Sequence, residues 1–578
     1  MLDVLRDEDL SPERPKRRPV SSKLIGDTNP LSALLRRELK HKIITNLCSF
    51  RAPDPSDSQR LSICRLPTGS GWDWKTHYTS IDLSPAKLQY LDALGCFRSP
   101  RPSHSGQLLD VYFTHVHPYL PVIDRAEFLS RFFGHGEPPP LVRILAVFLA
   151  AARYCDKSFD ETLVSKDEGD DVRSICDILY HRLRALVDVD VGSQRLAVLQ
   201  ASILASLHWE GREGVNSSLD ALAISVRIAQ EMGLHRRDEV CVSNPTTRLQ
   251  KRMWWSIFAM DRMNAAMEGT SFLINELDCD VPPLVAEDFV DDEAVRDAAL
   301  LNCDLALIIN DSVRWLYSPS VRRDTIFTRA GEMQRDHITR QLAQLDERAL
   351  LLDPYSEQCI IFRTHINAVR ILVHRPFLLH RETSMCQISG GLACYTSREH
   401  CRAWATETVG ALQSLQFTGH KCCTWPFTVY AIVNVLLIFW YDLSSPQTGS
   451  ETAATRRSFE MIVHLLHDIG ETWWAAAAKH KLAEALLHIA DRLHEKQKTK
   501  GVNIEGEAMI YDRSAREQPN SQDIATMPSL PFTLPENLSS SGTIYEGGVD
   551  NLDEASQFWA ALGLDFETDL AQGIYSVY

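Results

Sequence analysis

The 578-residue chain holds 14 cysteines and no CxxC pair. A structural zinc site needs four ligands drawn together at short spacing, and these scattered thiols offer none. No secretory leader opens the sequence, so the expectation is reduced thiols in an intracellular compartment. Apolar runs of membrane-spanning length are lacking too. The longest, Leu141–Ala152 and Phe427–Tyr441, fall short of the ~20 residues a spanning helix requires. Both read as buried helices, and no membrane partner is expected.

A basic body is the next absence. Lys and Arg number 60 against 76 Asp and Glu, for a net charge of −16. Residues 1–60 carry 12 basic and 9 acidic side chains, whereas residues 501–578 carry 2 and 13. Such a balance repels a phosphate backbone, which excludes broad nucleic-acid binding by the body of the protein.

Catalytic constellations are equally scarce. His115 and His117 lie two apart, where a regular helix makes them diverge, and Pro118 follows at once. His464 and His467 share a helical face but have no further ligand pattern nearby. Glu287, Asp288, Asp291, Asp292 and Glu293 invite comparison with a magnesium site in an all-α isoprenoid-type enzyme. Phe289 and Val290 fit that poorly and the companion metal motif is missing downstream, so the stretch reads as acidic surface or a helix start. The expectation is therefore no enzyme, with the magnesium-dependent one kept as an alternative.

What the chain does have is helical periodicity from Ser84 to about residue 498. Ser84 and Pro85 form a cap and first-turn signal. Leu108–His117 reads as a helix, and Asp124 caps another carrying Phe128 and Phe132. Leu219, Leu222, Ala223, Val226, Ala229 and Met232 form one face of a helix that Gly233 ends. A helix over Gln250–Ala266 follows, and Pro282–Pro283 closes the unit. Trp254 and Trp255 read as core, with a ligand cavity as the competing assignment. Asp261 and Arg262 sit in apolar surroundings, and as sequence neighbours they are expected to find partners elsewhere, Arg252 being one candidate for Asp261. Ser384–Ser397 reads as loop, with helices resuming at Cys401. The fold class is all-α, a succession of helical hairpins of solenoid-like character without a strict repeat period.

Four segments then carry a resemblance: LDVYFTHVHPYLPVIDRAEF at Leu109–Phe128, ALAISVRIAQEMGLHR at Ala221–Arg236, RMWWSIFAMDR at Arg252–Arg262 and DCDVP at Asp278–Pro282. In this order the chain resembles the middle homology domain of fungal zinc-cluster transcription factors, and within them regulators of the cutinase and fatty-acid-response type. The resemblance implies a family-motif core of His117, Pro118, Pro121, Arg227, Gly233, Leu234, Arg252, Trp254, Trp255, Asp261, Arg262, Asp280 and Pro282. It also implies a nuclear regulator of RNA polymerase II genes, such as those of a metabolic or biosynthetic cluster. Family members carry six N-terminal cysteines that bind two zinc ions, whereas here the first cysteines are Cys48, Cys64 and Cys96. Zinc is thus expected only if such a cluster precedes this sequence. DNA contact is expected only through that module or a homo- or heterodimer partner, and a regulatory or dominant-negative relative without DNA binding is the alternative.

The flanks complete the organisation. Residues 1–30 form a basic, proline-rich tail whose Arg14, Lys16, Arg17 and Arg18 are a candidate nuclear-import patch. Residues 31–83 hold a short amphipathic helix, with Leu31, Leu34, Leu35, Leu39, Ile43 and Leu47 at helical spacing, and then a linker. The regulatory domain covers 84–498, most recognisable over 107–283. Residues 499–551 have the composition of a disordered linker. Residues 552–578 interleave acids with apolar side chains, and Phe558, Trp559, Leu562, Leu564, Asp565, Phe566 and Leu570 form a candidate activation segment for transcriptional coactivators.

Overall fold

Local start signals set where each helix begins. Ser84 accepts a hydrogen bond from the Lys87 N–H at 3.4 Å and Pro85 takes the first turn. Asp124 accepts from the Glu127 N–H at 2.9 Å, and Asn244 accepts from Thr246 at 3.0 Å ahead of Pro245. Each satisfies one N–H that the first turn leaves unpaired.

The computed structural model describes residues 83–97, 102–134, 137–154, 172–190, 194–208, 215–237, 244–318, 323–379, 390–417, 425–443, 449–471 and most of 473–491. Within them run α1 (Pro85–Ala93), α2 (Pro102–Val111), α3 (Arg125–Phe133), α4 (Leu141–Ala152), α5 (Val172–Asp190), α6 (Arg195–Ala205) and α7 (Val215–Glu231). Then come α8 (Pro245–Glu268), α9 (Arg296–Tyr317), α10 (Arg329–Ala349), α11 (Glu357–Leu379), α12 (Gly390–Phe417), α13 (Pro426–Leu443) and α14 (Gly449–Gly470). No β-strand occurs among the described residues. The fold is all-α.

Consecutive helices pack on one another along most of the chain, from α6 on α7 through α13 on α14. Helix α11 packs on α9, α10, α12 and α13, and α8 reaches across to α13. One continuous apolar core runs from Leu91 to Ala490. All twelve residues of α4 are buried, as its unbroken apolar run requires. The apolar stretch at 427–441 extends to an 18-residue helix, α13, which is long and apolar enough to cross a membrane. Its window is 89% buried inside the fold, which makes it a core helix.

Several boundaries differ from the sequence reading. α12 begins at Gly390, so residues 390–397 are helical and not loop. Gly106 lies within α2, and Ser218 lies within α7, where its hydroxyl bonds to the Ser206 carbonyl. The helix expected over 108–117 splits into α2 and a π-helical turn, Tyr112–Val116.

Candidate functional site

The best-defined constellation is a junction built around α8, in which the four motif segments meet. Residues 252–267 of α8 are all buried. Their side chains have partners in every direction, so this helix acts as an axle and not as an amphipathic surface element.

At one corner, α7 ends at Gly233 with φ 77°, a left-handed conformation that a glycine adopts without cost. The Leu234 N–H returns to the Ala229 carbonyl at 3.0 Å, closing the helix end. The chain then turns so that the His235 ring stands 5.8 Å from Trp254. The His235 carbonyl accepts the Asp280 N–H at 3.1 Å, and Asp280 accepts the Arg237 N–H at 2.8 Å. Trp255 donates its indole N–H to the Pro282 carbonyl at 2.8 Å. Gly233, Leu234, Trp254, Trp255, Asp280 and Pro282 thus form one physical corner. Both tryptophans belong to the continuous core.

A second corner is ionic. Arg262 is fully buried and its guanidinium lies 4.1 Å from both the Phe258 and Phe272 rings. Its edge donates to Asn310 Oδ1 at 2.9 Å, to the Ile274 carbonyl at 3.0 Å and to Asp261. Asp261 accepts the Leu273 and Ile274 N–H groups at 3.0 and 3.1 Å. The neighbours are therefore partners after all, bridging on the inner face of the helix while both hold the segment after Gly269. Arg252 is not the partner of Asp261. Burial raises the Asp261 carboxyl and lowers the Arg262 guanidinium, while each charge pulls the other back. An Arg fork between two rings, saturated along its edge, is a positioning device.

The third corner receives the first motif. The π turn gives His115 and His117 separate targets. His115 Nδ1 meets Glu357 at 2.8 Å, and His117 Nε2 meets Asp292 at 2.7 Å. Burial drives the His117 pKa down, with Arg252 and Arg125 adding to it and the Asp292 bond opposing it. Burial would raise Asp292, but His117, Arg252 and Arg125 outweigh it and hold its carboxyl below the ordinary range. A neutral imidazole donating to a carboxylate accounts for both directions. Pro118 and Pro121 are buried in the following loop, which Gln200 and Asn302 pin through the Val122 and Tyr119 carbonyls at 2.7 and 3.2 Å. Arg252 is 2% exposed, lies 5.6 Å over the Phe289 ring and is lowered by burial.

Arg227 stands apart. It is 74% exposed on α7 and pairs with Glu231 one turn on, at 3.0 Å. The acidic run considered for magnesium diverges: Asp288 pairs with Lys251 at 2.6 Å, Asp291 with Arg248 at 2.5 Å and Asp292 with His117. Carboxylates turned to three different partners do not converge on one ion, and no group of three or more potential metal ligands occurs among the described residues. The zinc implied by the resemblance finds no fit here either. Cys96, Cys176, Cys303, Cys359 and Cys401 are separately buried, and burial pushes Cys96 and Cys303 up to about 12. Such thiols are not thiolate ligands. Cys48, Cys64, the patch Arg14–Arg18 and the segment Phe558–Leu570 lie outside the described residues.

Asn302, Asn310 and Gln200 were not singled out by sequence reasoning. The signal that could have found them is a lone amide within an otherwise apolar helix, which must be bonded once buried.

Comparison with known proteins decides what this junction belongs to. Residues 109–326 match the family described as the fungal specific transcription factor domain. All four motif segments fall inside it, as do the residues of the three corners around α8 apart from Glu357. The chain is 31% identical over 217 residues to cutinase transcription factor 1 alpha of Fusarium vanettenii, covering 37% of this chain and 23% of that protein. It is 27% identical over 396 residues to the acetamidase regulatory protein of Aspergillus fumigatus, covering 67% and 48%. It is 27% identical over 178 residues to the terreic acid cluster-specific transcription factor atF of Aspergillus terreus, covering 29% and 27%. The chain therefore spans about a quarter to a half of the length of these relatives. A chain in the structure of the K. lactis CBF3 core aligns at 12% identity with a TM-score of 0.47, covering 72% of this chain and 90% of that one. Among the described residues, the Asp288, Asp291 and Asp292 carboxylates of the acidic run are each committed to a separate partner.

Proposed function

We propose that the chain regulates transcription of RNA polymerase II genes in a fungal nucleus, with a metabolic or biosynthetic gene cluster as its target. The match over residues 109–326 carries this reading, supported by relatives that are themselves named as regulators. The α8 junction does no bond chemistry in this scheme. It fixes the relative positions of the helices, and the family-motif residues other than Arg227 act by maintaining that arrangement.

DNA contact then comes from a zinc-cluster module outside this sequence or from a homo- or heterodimer partner that has one. The net charge of −16 supports that division of labour, since an acidic body gains nothing from a polyanion. Nuclear entry is assigned to Arg14, Lys16, Arg17 and Arg18. Recruitment of coactivators is assigned to residues 552–578, whose acids keep Phe558, Trp559, Leu562, Leu564, Phe566 and Leu570 soluble until a partner groove takes them.

The test is a fusion of the full chain to an unrelated DNA-binding domain upstream of a reporter gene. The expected result is a several-fold rise in transcription that is lost when Phe558, Trp559, Leu562, Leu564 and Phe566 are changed to Ala. A reporter indifferent to the fused chain would sink the proposal. In a strain lacking the gene, transcript profiling should show coherent loss from one set of neighbouring genes.

A further inference from the structure

A strap, residues 269–295, crosses the fold between α8 and α9 with only short 3-10 turns. It is held firmly: Asp261 and Arg262 take the backbone of residues 273–274 and Trp255 the Pro282 carbonyl, while Lys251 and Arg248 take the side chains of Asp288 and Asp291. Despite those anchors, it presents apolar side chains to solvent. Leu277 is 86% exposed, Val290 56%, Val285 47% and Leu273 46%. A mobile loop tip can leave such side chains out at little cost. A strap pinned by buried charges holds them in fixed positions, as a binding surface does.

Charge selects the occupant. Residues 269–297 contain nine acids and a single basic residue, Arg296. Glu276, Asp280, Asp288, Asp291, Asp292 and Asp297 pair with Arg314, Arg236, Lys251, Arg248, His117 and Arg296, so the acidic rim rests on the remaining three. Asp278, Glu287 and Glu293 are exposed beside the apolar side chains. A partner must therefore be apolar on one side and basic around it. Residues 31–47 of the same chain have that pattern: Leu31, Leu34, Leu35, Leu39, Ile43 and Leu47 at helical spacing, with Arg36, Arg37, Lys40 and Lys42 against the single acid Glu38. The connection from residue 47 to Leu83 is long enough, since 36 residues reach up to about 120 Å when extended.

We infer that residues 31–47 dock on the strap of their own chain, the leucine stripe covering Leu273, Leu277, Val285 and Val290 and the basic side chains facing the acidic rim. Docking occupies the amphipathic segment and draws the preceding Arg14–Arg18 patch against the acidic surface. The N-terminal tail is then unavailable to other partners until the contact opens. This does not depend on the transcriptional role.

The experiment uses the full chain with a photo-crosslinking amino acid in place of Leu277, a position too exposed to disturb the core. Irradiation at low protein concentration followed by peptide mapping should give crosslinks into residues 31–47 within one chain. Crosslinks that go elsewhere, or that join two chains and rise with concentration, would overturn docking in cis. Hydrogen–deuterium exchange supplies the independent readout. Amides of 31–47 should exchange at least tenfold faster in Leu277→Arg than in the parent, and faster again in Arg36→Glu/Arg37→Glu/Lys40→Glu. Equal exchange in all three proteins would refute the contact.

Discussion

Arg262 shows how one side chain can hold a junction together. Its fork bonds Asn310, the Ile274 carbonyl and Asp261 while two rings cover its faces. Removing it leaves Asp261 as an uncompensated buried charge, so Arg262→Ala should cost about 3–5 kcal/mol. The informative variant is Arg262→Lys. An ammonium keeps the charge but cannot serve three acceptors along one plane or stack between rings, so a loss of about 2 kcal/mol or more is expected. Denaturant titration measures both, and a lysine variant within about 0.5 kcal/mol of the parent would show that charge alone matters. None of these partnerships is legible in sequence. Asn310 is 48 positions from Arg262 and Asp292 is 175 from His117, and a single sequence says nothing about pairs so far apart. What can be read is only that Asp261 and Arg262, in an apolar helix, must find partners. The error lay in assuming that neighbours on a helix cannot be each other's partner, when a long Arg side chain can curl back.

At the level of elements, α11 carries Pro376 inside its last turn. Proline has no N–H to give the carbonyl four residues earlier, that of Leu372. The Tyr317 hydroxyl from the end of α9 supplies the missing donor, 2.8 Å from the Leu372 oxygen. Tyr317→Phe should therefore cost about 1–3 kcal/mol, the penalty for an unpaired buried carbonyl. Pro376→Ala restores a helical N–H, so in that background the same change should cost little. A double-mutant cycle decides, and equal costs in both backgrounds would dissociate the tyrosine from the proline. The helix boundaries marked by local signals were the legible part of the architecture, because Ser84, Pro85 and Asp124 at starts and Gly233 at an end act within one turn of their own backbone. Pro376 does not end α11, which runs on to Leu379 with the distant Tyr317 hydroxyl on the Leu372 carbonyl. The π turn at Tyr112–Val116 escaped because its partners are distant too. His115 and His117 look divergent on an ideal helix, and only the positions of Glu357 and Asp292 show why an irregular turn suits them.

Across the whole molecule, buried neutral histidines set the response to acid. Burial pushes His208 down to about 4, with Asp177 partly opposing. It pushes His365 down to about 3, and it does the same to His374, where Arg335 and His400 add to it. Their ordinary value is about 6.5. Above that pH both folded and unfolded chains hold neutral imidazoles, and stability does not depend on these groups. Below it the unfolded chain takes up protons that the folded chain refuses, so stability falls as pH drops from about 6.5 toward the folded values. Each histidine contributes a slope of about 1.4 kcal/mol per pH unit in that window, or about 4 for the three together. Asp261 acts in the opposite sense, since burial raises its carboxyl, which leaves an expected net slope of about 2–4 kcal/mol per unit. A domain of ordinary stability, about 5–15 kcal/mol, is then largely lost by pH 4. Denaturant titrations at constant ionic strength should give equal stability at pH 7.5 and 7.0 and a steep decline between 6.0 and 5.0. His365→Asn should lower that slope by about one proton, or 1.4 kcal/mol per unit, whatever it does to stability at neutral pH. Stability that holds level from pH 6.5 to 5.0 would mean that these imidazoles gain protons inside the fold. The packing around α5, α11 and α12 would then have to admit water that the burial of His208, His365 and His374 leaves no room for.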